Sequence, residues 1–437
     1  MNKNEILSIL NDWNFWKQEL DIGILRTNYL NRLHAILKTG QIIVIKGPRR
    51  AGKSYIMKQF AKQLIDNGTP SNEILMINFE DPRFGKLDTK LMQEIFEVYL
   101  EFLNPKSKPY IFLDEVQEVD EWEKWVRTMH ELGKANIILS GSNAKLLSRE
   151  LSTLLTGLHV GLTVLPLSFC EYLLFKKIDL KDDLDIERKR IELSRMVRES
   201  LEFGLFPKVV LSEEKKEILL AYYDDIVSKD IIKRFKIRKP EQLKSLSRFY
   251  FSNSASLVTY NSIEKFLNIT ASTIEKFSSY LEETYLCFFL KRFSFKVKEQ
   301  EKSPRKVYAI DPGLANVVGF RLDQNIGKLA ELMVFLELAR IRETKHGYDI
   351  YYWKDVRHRE VDFVIKEEER ISHLIQVCWD ISAPQTKERE IKSLIKGMEE
   401  LHVSEGLIIT ETYEDTEHHD DKIIKYIPLW KWLLNPF

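Results

Sequence analysis

The sequence has little cysteine, proline or glycine and no surplus of charge. Its 437 residues include three cysteines, Cys170, Cys287 and Cys378. They are far apart and form no C-x-x-C pair, which argues against a zinc knuckle or a disulfide framework and fits a reducing compartment. With 13 prolines and 17 glycines, no internal repeat or low-complexity linker interrupts the chain. Lysine plus arginine number 66, as do aspartate plus glutamate. That balance excludes a histone-like protein held to nucleic acid by bulk charge and leaves a local basic patch open. No apolar run reaches the ~18–20 residues of a membrane span. The first twenty residues, which carry Asp12, Lys17 and Glu19, lack the apolar core of a signal peptide. A soluble cytoplasmic protein with no membrane partner is expected. What is present is an ordinary globular composition, 44% hydrophobic and 30% charged. At roughly 100–200 residues per domain it has room for two to four.

The pattern along the chain predicts an α/β fold. Apolar residues at helical spacing through Ile6, Leu7, Leu10, Trp13 and Trp16 predict helix in the first forty residues. Short apolar strands alternate with helical stretches: Ile42–Ile45, Leu75–Phe79, Tyr110–Leu113, Asn136–Leu139 and Leu162–Leu165. That alternation reads as a parallel sheet with helices on both faces. From Ser168 to Arg248 the pattern is helical and charged. A second mixed α/β unit follows, with a helix over Leu329–Arg340 and strands at Asp349–Trp353, Glu360–Ile365, His373–Cys378 and Gly406–Ile409.

Residues 47–54 read GPRRAGKS, which is G-x-x-x-x-G-K-[ST], the P-loop pattern. Gly47 and Gly52 allow the tight turn that points consecutive N–H groups at phosphate oxygens. Pro48, Arg49, Arg50 and Ala51 complete the loop, and Tyr55 follows it in the nucleotide-binding set. Lys53 is expected to reach the β- and γ-phosphates and Ser54 to place its hydroxyl on Mg²⁺. The helix that begins there aims its positive end at the phosphates, and Gly68 stands where a C-terminal cap glycine belongs.

Tyr110-Ile-Phe-Leu-Asp114-Glu115 is an apolar strand ending in two carboxylates, the Walker B pattern. Asp114 is assigned to Mg²⁺ through its water shell, and Glu115 to orienting and polarising the attacking water. A second strand with a polar end runs Asn136-Ile-Ile-Leu-Ser-Gly141-Ser142-Asn143. Strand ends meet the nucleotide in such sheets, so Ser142 or Asn143 can act as a sensor of the γ-phosphate; a plain turn is the alternative. The Trp122/Trp125 pair reads as core packing, and His418-His419 as a solvated turn.

GPRRAGKS, FLDEVQEVDEWEKWVRTMHE, LSGSNAKLLSRELSTLLTG and PLSFCEYL together resemble a family of archaeal and bacterial AAA-type ATPases. The likeness continues through GLFPKVV, YYDDIVSKDIIKRFKI, KVYAIDPGLANVVG, GKLAELMVFLELAR, YYWKDVRHREVDFVI and IQVCWD, covering about Ile42 to Thr410. It implies ATP and Mg²⁺ as cofactors, a homo-oligomer, and four segments. These are an ATPase domain with an N-terminal helical segment at 1–167, a helical lid segment at 168–245, a winged-helix domain at 246–310, and a restriction-endonuclease-like domain at 311–437. Two departures stand out. The family's block continues T-G-R, but Leu158 replaces that arginine, leaving Arg149 or Arg234 to supply the charge. The nuclease pattern is met by Glu331, Asp362 and Gln376, but Cys378 stands where its lysine belongs. A degenerate nuclease site is therefore expected, since a cysteine cannot stabilise developing phosphate charge.

Ser262–Leu281 reads as helix, turn and helix, with Thr270 capping the second helix and a Phe288–Val297 strand pair as wing. Basic stretches flank it at 233–239 and 291–298, while Glu275, Glu282 and Glu283 lie on the second helix. Two uses stay open: phosphate-dominated contact with DNA, or contact with protein. The sequence thus predicts an ATP-hydrolysing switch or motor acting with DNA. A signalling switch that binds protein and an ATP-gated metal-dependent nuclease are the alternatives.

Overall fold

Five runs of β-branched and leucine side chains form the sheet that carries the phosphate loop. The structure, a computed structural model, describes residues 1–142, 155–320 and 325–436. The strands are β1 (Ile42–Lys46), β2 (Ile74–Asn78), β3 (Tyr110–Asp114), β4 (Asn136–Gly141) and β5 (His159–Thr163). They lie in the order β2-β3-β4-β1-β5, and every neighbouring pair is parallel. Both faces are buried, which is why the strands read as continuous apolar runs. Ile42, Val44, Ile111, Leu113, Ile137 and Leu139 face one core. Their alternates Ile43, Ile45, Phe112 and Ile138 face the other.

The helices α1 (Lys3–Trp13), α4 (Thr89–Leu103) and α5 (Trp122–Glu131) supply Ile6, Leu10, Ile95, Trp122 and Trp125 to the first core, and α2 (Thr27–Leu37) and α3 (Lys53–Asp66) supply Leu30, Leu33, Ile56 and Phe60 to the second. A capping box between Asn2 and Glu5 begins α1.

That first helix stops at Trp13, short of the periodic apolar pattern. Asn14 is fully buried and ends the helix by turning to β2: its Oδ1 accepts the Met76 N–H at 2.7 Å, and its Nδ2 donates to the Met76 carbonyl at 2.9 Å. Trp16 lies beyond the helix, and its ring N–H donates to the Ile74 carbonyl at 2.8 Å. Side chains thus satisfy edge groups of β2 that no strand pairs. The fifth strand begins at His159, three residues before the expected Leu162, because its pairing with β1 starts at Ile42 and His159.

The chain divides into two units at Leu165/Pro166. In the second, helices including Phe169–Phe175, Arg190–Phe203 and Lys215–Asp225 precede a three-stranded antiparallel sheet. Its strands are β6 (Ser256–Val258), β7 (Cys287–Leu290) and β8 (Arg305–Ala309), in the order β6-β8-β7. Helices Tyr260–Leu267 and Ala271–Glu283 lie between β6 and β7. The expected Phe288–Val297 strand pair is not formed. Only its first three residues, 288–290, belong to β7, residues from Val297 to Lys302 are helical, and β7 pairs with β8 instead. Thr270 occupies the cap position of the second helix, but its hydroxyl lies 2.8 Å from the Thr273 hydroxyl and makes no capping bond to the backbone.

The large sheet is mixed: β9 (Tyr348–Lys354), β10 (Glu360–Glu367), β11 (Arg370–Val377), β12 (Glu405–Thr410), β13 (Asp415–His419) and β14 (Lys422–Pro428), ordered β13-β14-β12-β11-β10-β9. His418 and His419 therefore lie on a strand, paired with Ile423 and Lys422, rather than in a turn. The polar alternation of Asp415–His419 hid this edge strand, which buries little. Helix Ile326–Thr344 is longer than expected and buried along most of its length.

Asp311 ties this unit together. It caps helix Pro312–Val318 through an Oδ1 bond from the Leu314 N–H at 3.0 Å, and its Oδ2 accepts the Leu205 N–H at 2.6 Å. Burial pushes its carboxyl up to about 6, against the pull of those backbone donors. The folded state therefore holds a proton that the unfolded state releases between the ordinary 3.8 and about 6. Stability from this group falls as pH rises through that window. Asp311→Asn should flatten this part of the Tm–pH curve and lower stability at pH 7, because the amide cannot accept both N–H groups. Identical slopes between pH 4 and 6 in the two proteins would show that Asp311 does not titrate there.

Candidate functional site

The loop between β1 and α3 is shaped by positive φ angles and a close backbone approach. Gly47 has φ +146° and Arg50 φ +71°, and Gly52, with φ +98°, caps α3. A Cβ on Gly47 would lie 2.1 Å from the Val164 carbonyl oxygen, so only glycine fits. Pro48 and Ala51 are buried in the loop. Arg26, also buried, braces it from behind: one guanidinium nitrogen donates to the Ala51 carbonyl at 2.8 Å and another to the Leu165 carbonyl at 3.2 Å. Nothing in the sequence marks Arg26, which stands in an irregular stretch 25 residues before its partner.

Lys53 is buried, and its Nζ donates to the Gly47 and Pro48 carbonyls at 3.1 Å each. It also lies 3.8 Å from Glu115 Oε1. Arg49 is buried rather than solvent-facing and pairs with Glu80 at 2.6 Å. Arg50 is exposed. The Tyr55 phenol donates to Asp21 Oδ2 at 3.2 Å.

The acidic pair stands two strands away, because β4 lies between β1 and β3. The Ser140 hydroxyl of β4 donates to Asp114 Oδ1 and accepts the Glu115 N–H at 3.1 Å. Glu115 itself has φ +53°, an uncommon conformation for a non-glycine residue. Burial and then the neighbouring Glu115 charge push the Asp114 carboxyl up, opposed by the Ser140 and Ser54 hydroxyls and by Lys53. Burial also pushes on Glu115, but Lys53, the Gln117 amide at 2.5 Å and Arg49 outweigh it and hold that carboxyl below its usual range. The pair is thus divided electrostatically, with Glu115 kept ionised beside the lysine.

Ser54 and Asp114 line one hollow, together with Lys58, Asn78 and Trp13. The buried Ser142 hydroxyl has no hydrogen-bond partner at full geometry, though it lies close enough to favour the charged form of Glu115. A hydroxyl and a carboxylate on one hollow suit Mg²⁺. The inward-turned loop, Lys53 and the orphaned Ser142 hydroxyl suit a triphosphate. Asn143 and Arg149 lie outside the described residues. Leu158 packs, partly buried, against the first core, and its carbonyl accepts the Ile42 N–H at 2.9 Å.

The other expected group is brought together in the second unit. Asp362 accepts the Val377 N–H at 2.9 Å, and its own N–H donates to Gln376 Oε1 at 3.2 Å. The Gln376 amide donates to Glu390 at 2.6 Å. Glu331 joins through a residue that the motif did not contain: Lys306 of β8 lies 2.8 Å from Glu331 and 2.7 Å from Asp362. Cys378 turns away, its thiol donating to the Asp380 carbonyl at 3.4 Å. Burial pushes Glu331 up to about 7, aided by Asp362 and opposed by Lys306. Burial would lower Lys306, but the surrounding carboxylates hold it well above its ordinary value.

A parallel five-stranded sheet with a phosphate loop after β1 and paired carboxylates after β3 is a P-loop α/β fold. The family model described as "AAA domain" matches residues 39–173. Two domains of unknown function, DUF8612 and DUF4143, match residues 194–325 and 326–432. The chain is 35% identical over 408 residues to the uncharacterized protein MJ1544 of Methanocaldococcus jannaschii, covering 90% of this chain and 88% of that one. It is 31% identical over 423 residues to an uncharacterized protein of Haemophilus influenzae, covering 94% and 98%. Among solved structures, the Walker-type ATPase PABY2304 of Pyrococcus abyssi aligns with a TM-score of 0.45 and 13% identity, over 68% of this chain and 96% of that one. The chain belongs to the same family as these two uncharacterized proteins, and its residues 39–173 carry an AAA domain. Among the described residues, no helix is long and apolar enough to cross a membrane.

The Gly47 contact yields a direct test. Gly47→Ala should lower the Tm and weaken binding of a fluorescent ATP analogue at least tenfold, since the loop must move off Val164 to admit the methyl group. Unchanged affinity would show that the close approach is not needed for nucleotide binding.

Proposed function

We propose that this protein binds and hydrolyses ATP and uses the cycle as a conformational switch. The observation that supports this reading is the convergence of Lys53, Ser54, Asp114 and an ionised Glu115 on one strand-to-helix turn. The loop N–H groups and Lys53 hold the phosphates. Ser54 and Asp114 hold Mg²⁺, which when bound neutralises charge on the transferred phosphoryl group. Glu115 positions and polarises the attacking water, and the orphaned Ser142 hydroxyl senses the γ-phosphate. Copies of the chain assemble, and Arg149 or Arg234 takes the part that Leu158 cannot. The compartment is the cytoplasm.

The switch acts with DNA through the module at 246–310, read as a winged helix, and through its basic flanks. In the second flank Lys291 pairs with Glu301 at 2.5 Å and Lys296 with Glu299 at 3.3 Å. Phe295 and Val297, which flank Lys296 in the chain, are exposed, as is Phe266 on helix Tyr260–Leu267. Those internal pairs and apolar side chains favour a second reading, in which the same module docks a protein. A mobility shift on double- and single-stranded DNA, at two salt concentrations and with and without ATP, separates the two. Salt-sensitive binding supports DNA contact, and no shift at low salt removes it.

Lys53→Ala should abolish nucleotide binding by calorimetry, and retained affinity would refute the site. Glu115→Gln should keep affinity within a few-fold and reduce phosphate release by about 10²–10⁴-fold. An unchanged turnover number would remove the role given to Glu115.

A further inference from the structure

The side-chain amide of Gln117 lies against Glu115 at the nucleotide site, and only one end of it is used. Val116 is fully buried, and the short turn Val116–Glu118 brings Gln117 back to the carboxylate two residues before it. The Gln117 Nε2 donates to Glu115 Oε2 at 2.5 Å. An ionised carboxylate only accepts, so this contact fixes which end of the amide faces it and turns the carbonyl oxygen away. That oxygen, Gln117 Oε1, is shielded from solvent and has no hydrogen-bond partner among the described residues. The Ser142 hydroxyl is in the same condition and also lies near Glu115.

Two unmet polar atoms beside one carboxylate mark a place for a small hydrogen-bonding molecule. Water is the molecule that Glu115 has to act on. A water that directs a lone pair at phosphorus has two hydrogens left to place, and each requires an acceptor. Glu115 Oε1, the oxygen that Gln117 does not hold, is one acceptor, and Gln117 Oε1 is a second beside it. The amide nitrogen meanwhile donates to Glu115, which favours the ionised form that a general base requires.

We propose that Gln117 is a further catalytic residue, holding Glu115 with its amide N–H and the attacking water with its carbonyl oxygen. The water oxygen bonds to the γ-phosphorus as the phosphorus–oxygen bond to ADP breaks, its electron pair leaving with ADP. One water proton passes to Glu115 Oε1 and later leaves with the phosphate. The other stays on the attacking oxygen, hydrogen-bonded to Gln117 Oε1. This inference rests on the ATPase reading and adds a residue to it.

The test compares the native chain with Gln117→Met and Gln117→Leu, which fill similar space without hydrogen bonds. Each should lower kcat by at least about tenfold, while KM and the affinity for a non-hydrolysable ATP analogue stay within about threefold. The acid limb of the kcat–pH profile should move to higher pH, because Glu115 loses a donor that favours its charge. In a Glu115→Gln background, either substitution should cost less than about twofold more, since the second acceptor serves a water that has lost its base. A kcat within about twofold of native in both variants would overturn the proposal and leave the ATPase reading standing. So would a loss carried by KM and analogue affinity, or a full additional loss in the Glu115→Gln background. A native chain that turns over no ATP would overturn both.

Discussion

The ammonium of Lys53 is the contact on which the first unit's chemistry depends. It rests on two carbonyls of its own loop, 3.8 Å from Glu115. That charge bridges the loop's carbonyls and the acidic pair and, with Gln117 and Arg49, keeps the Glu115 carboxyl below its usual range. Neither effect needs the two residues to be near in sequence. The order of the strands brings them together, with β4 and its Ser140 hydroxyl as the spacer between loop and acidic pair.

How far the sequence disclosed this arrangement varies by element. The five core strands were legible because a sheet buried on both faces must be apolar at consecutive positions. The loop was legible because its glycines, lysine and serine do their work over eight neighbouring residues. The hairpin of β13 and β14 was not, since Asp415–His419 is an edge strand with charged residues along it. The expected strand pair within 288–297 did not form, because Cys287–Leu290 pairs with β8 and Val297–Lys302 is helical.

Arg26 and Lys306 show the harder limit. Each is a long basic side chain in an unremarkable local setting, and each becomes central only through partners 25 and 56 residues away. A motif search for the nuclease-type lysine looks two residues beyond Gln376 and finds Cys378. The structure supplies an amine to the same carboxylates from a different strand and a different sheet. Pattern reading named Glu331 and Asp362, which the structure places around one lysine, and did not name Glu360 or that lysine.

The way Asn14 and Trp16 seal the side of β2 has a consequence for assembly. An open strand margin invites a neighbouring molecule to extend the sheet, and this margin is already occupied by amide and indole groups of its own chain. A second chain therefore cannot lengthen the five-stranded sheet by pairing with these Ile74 and Met76 groups unless Asn14 and Trp16 first withdraw.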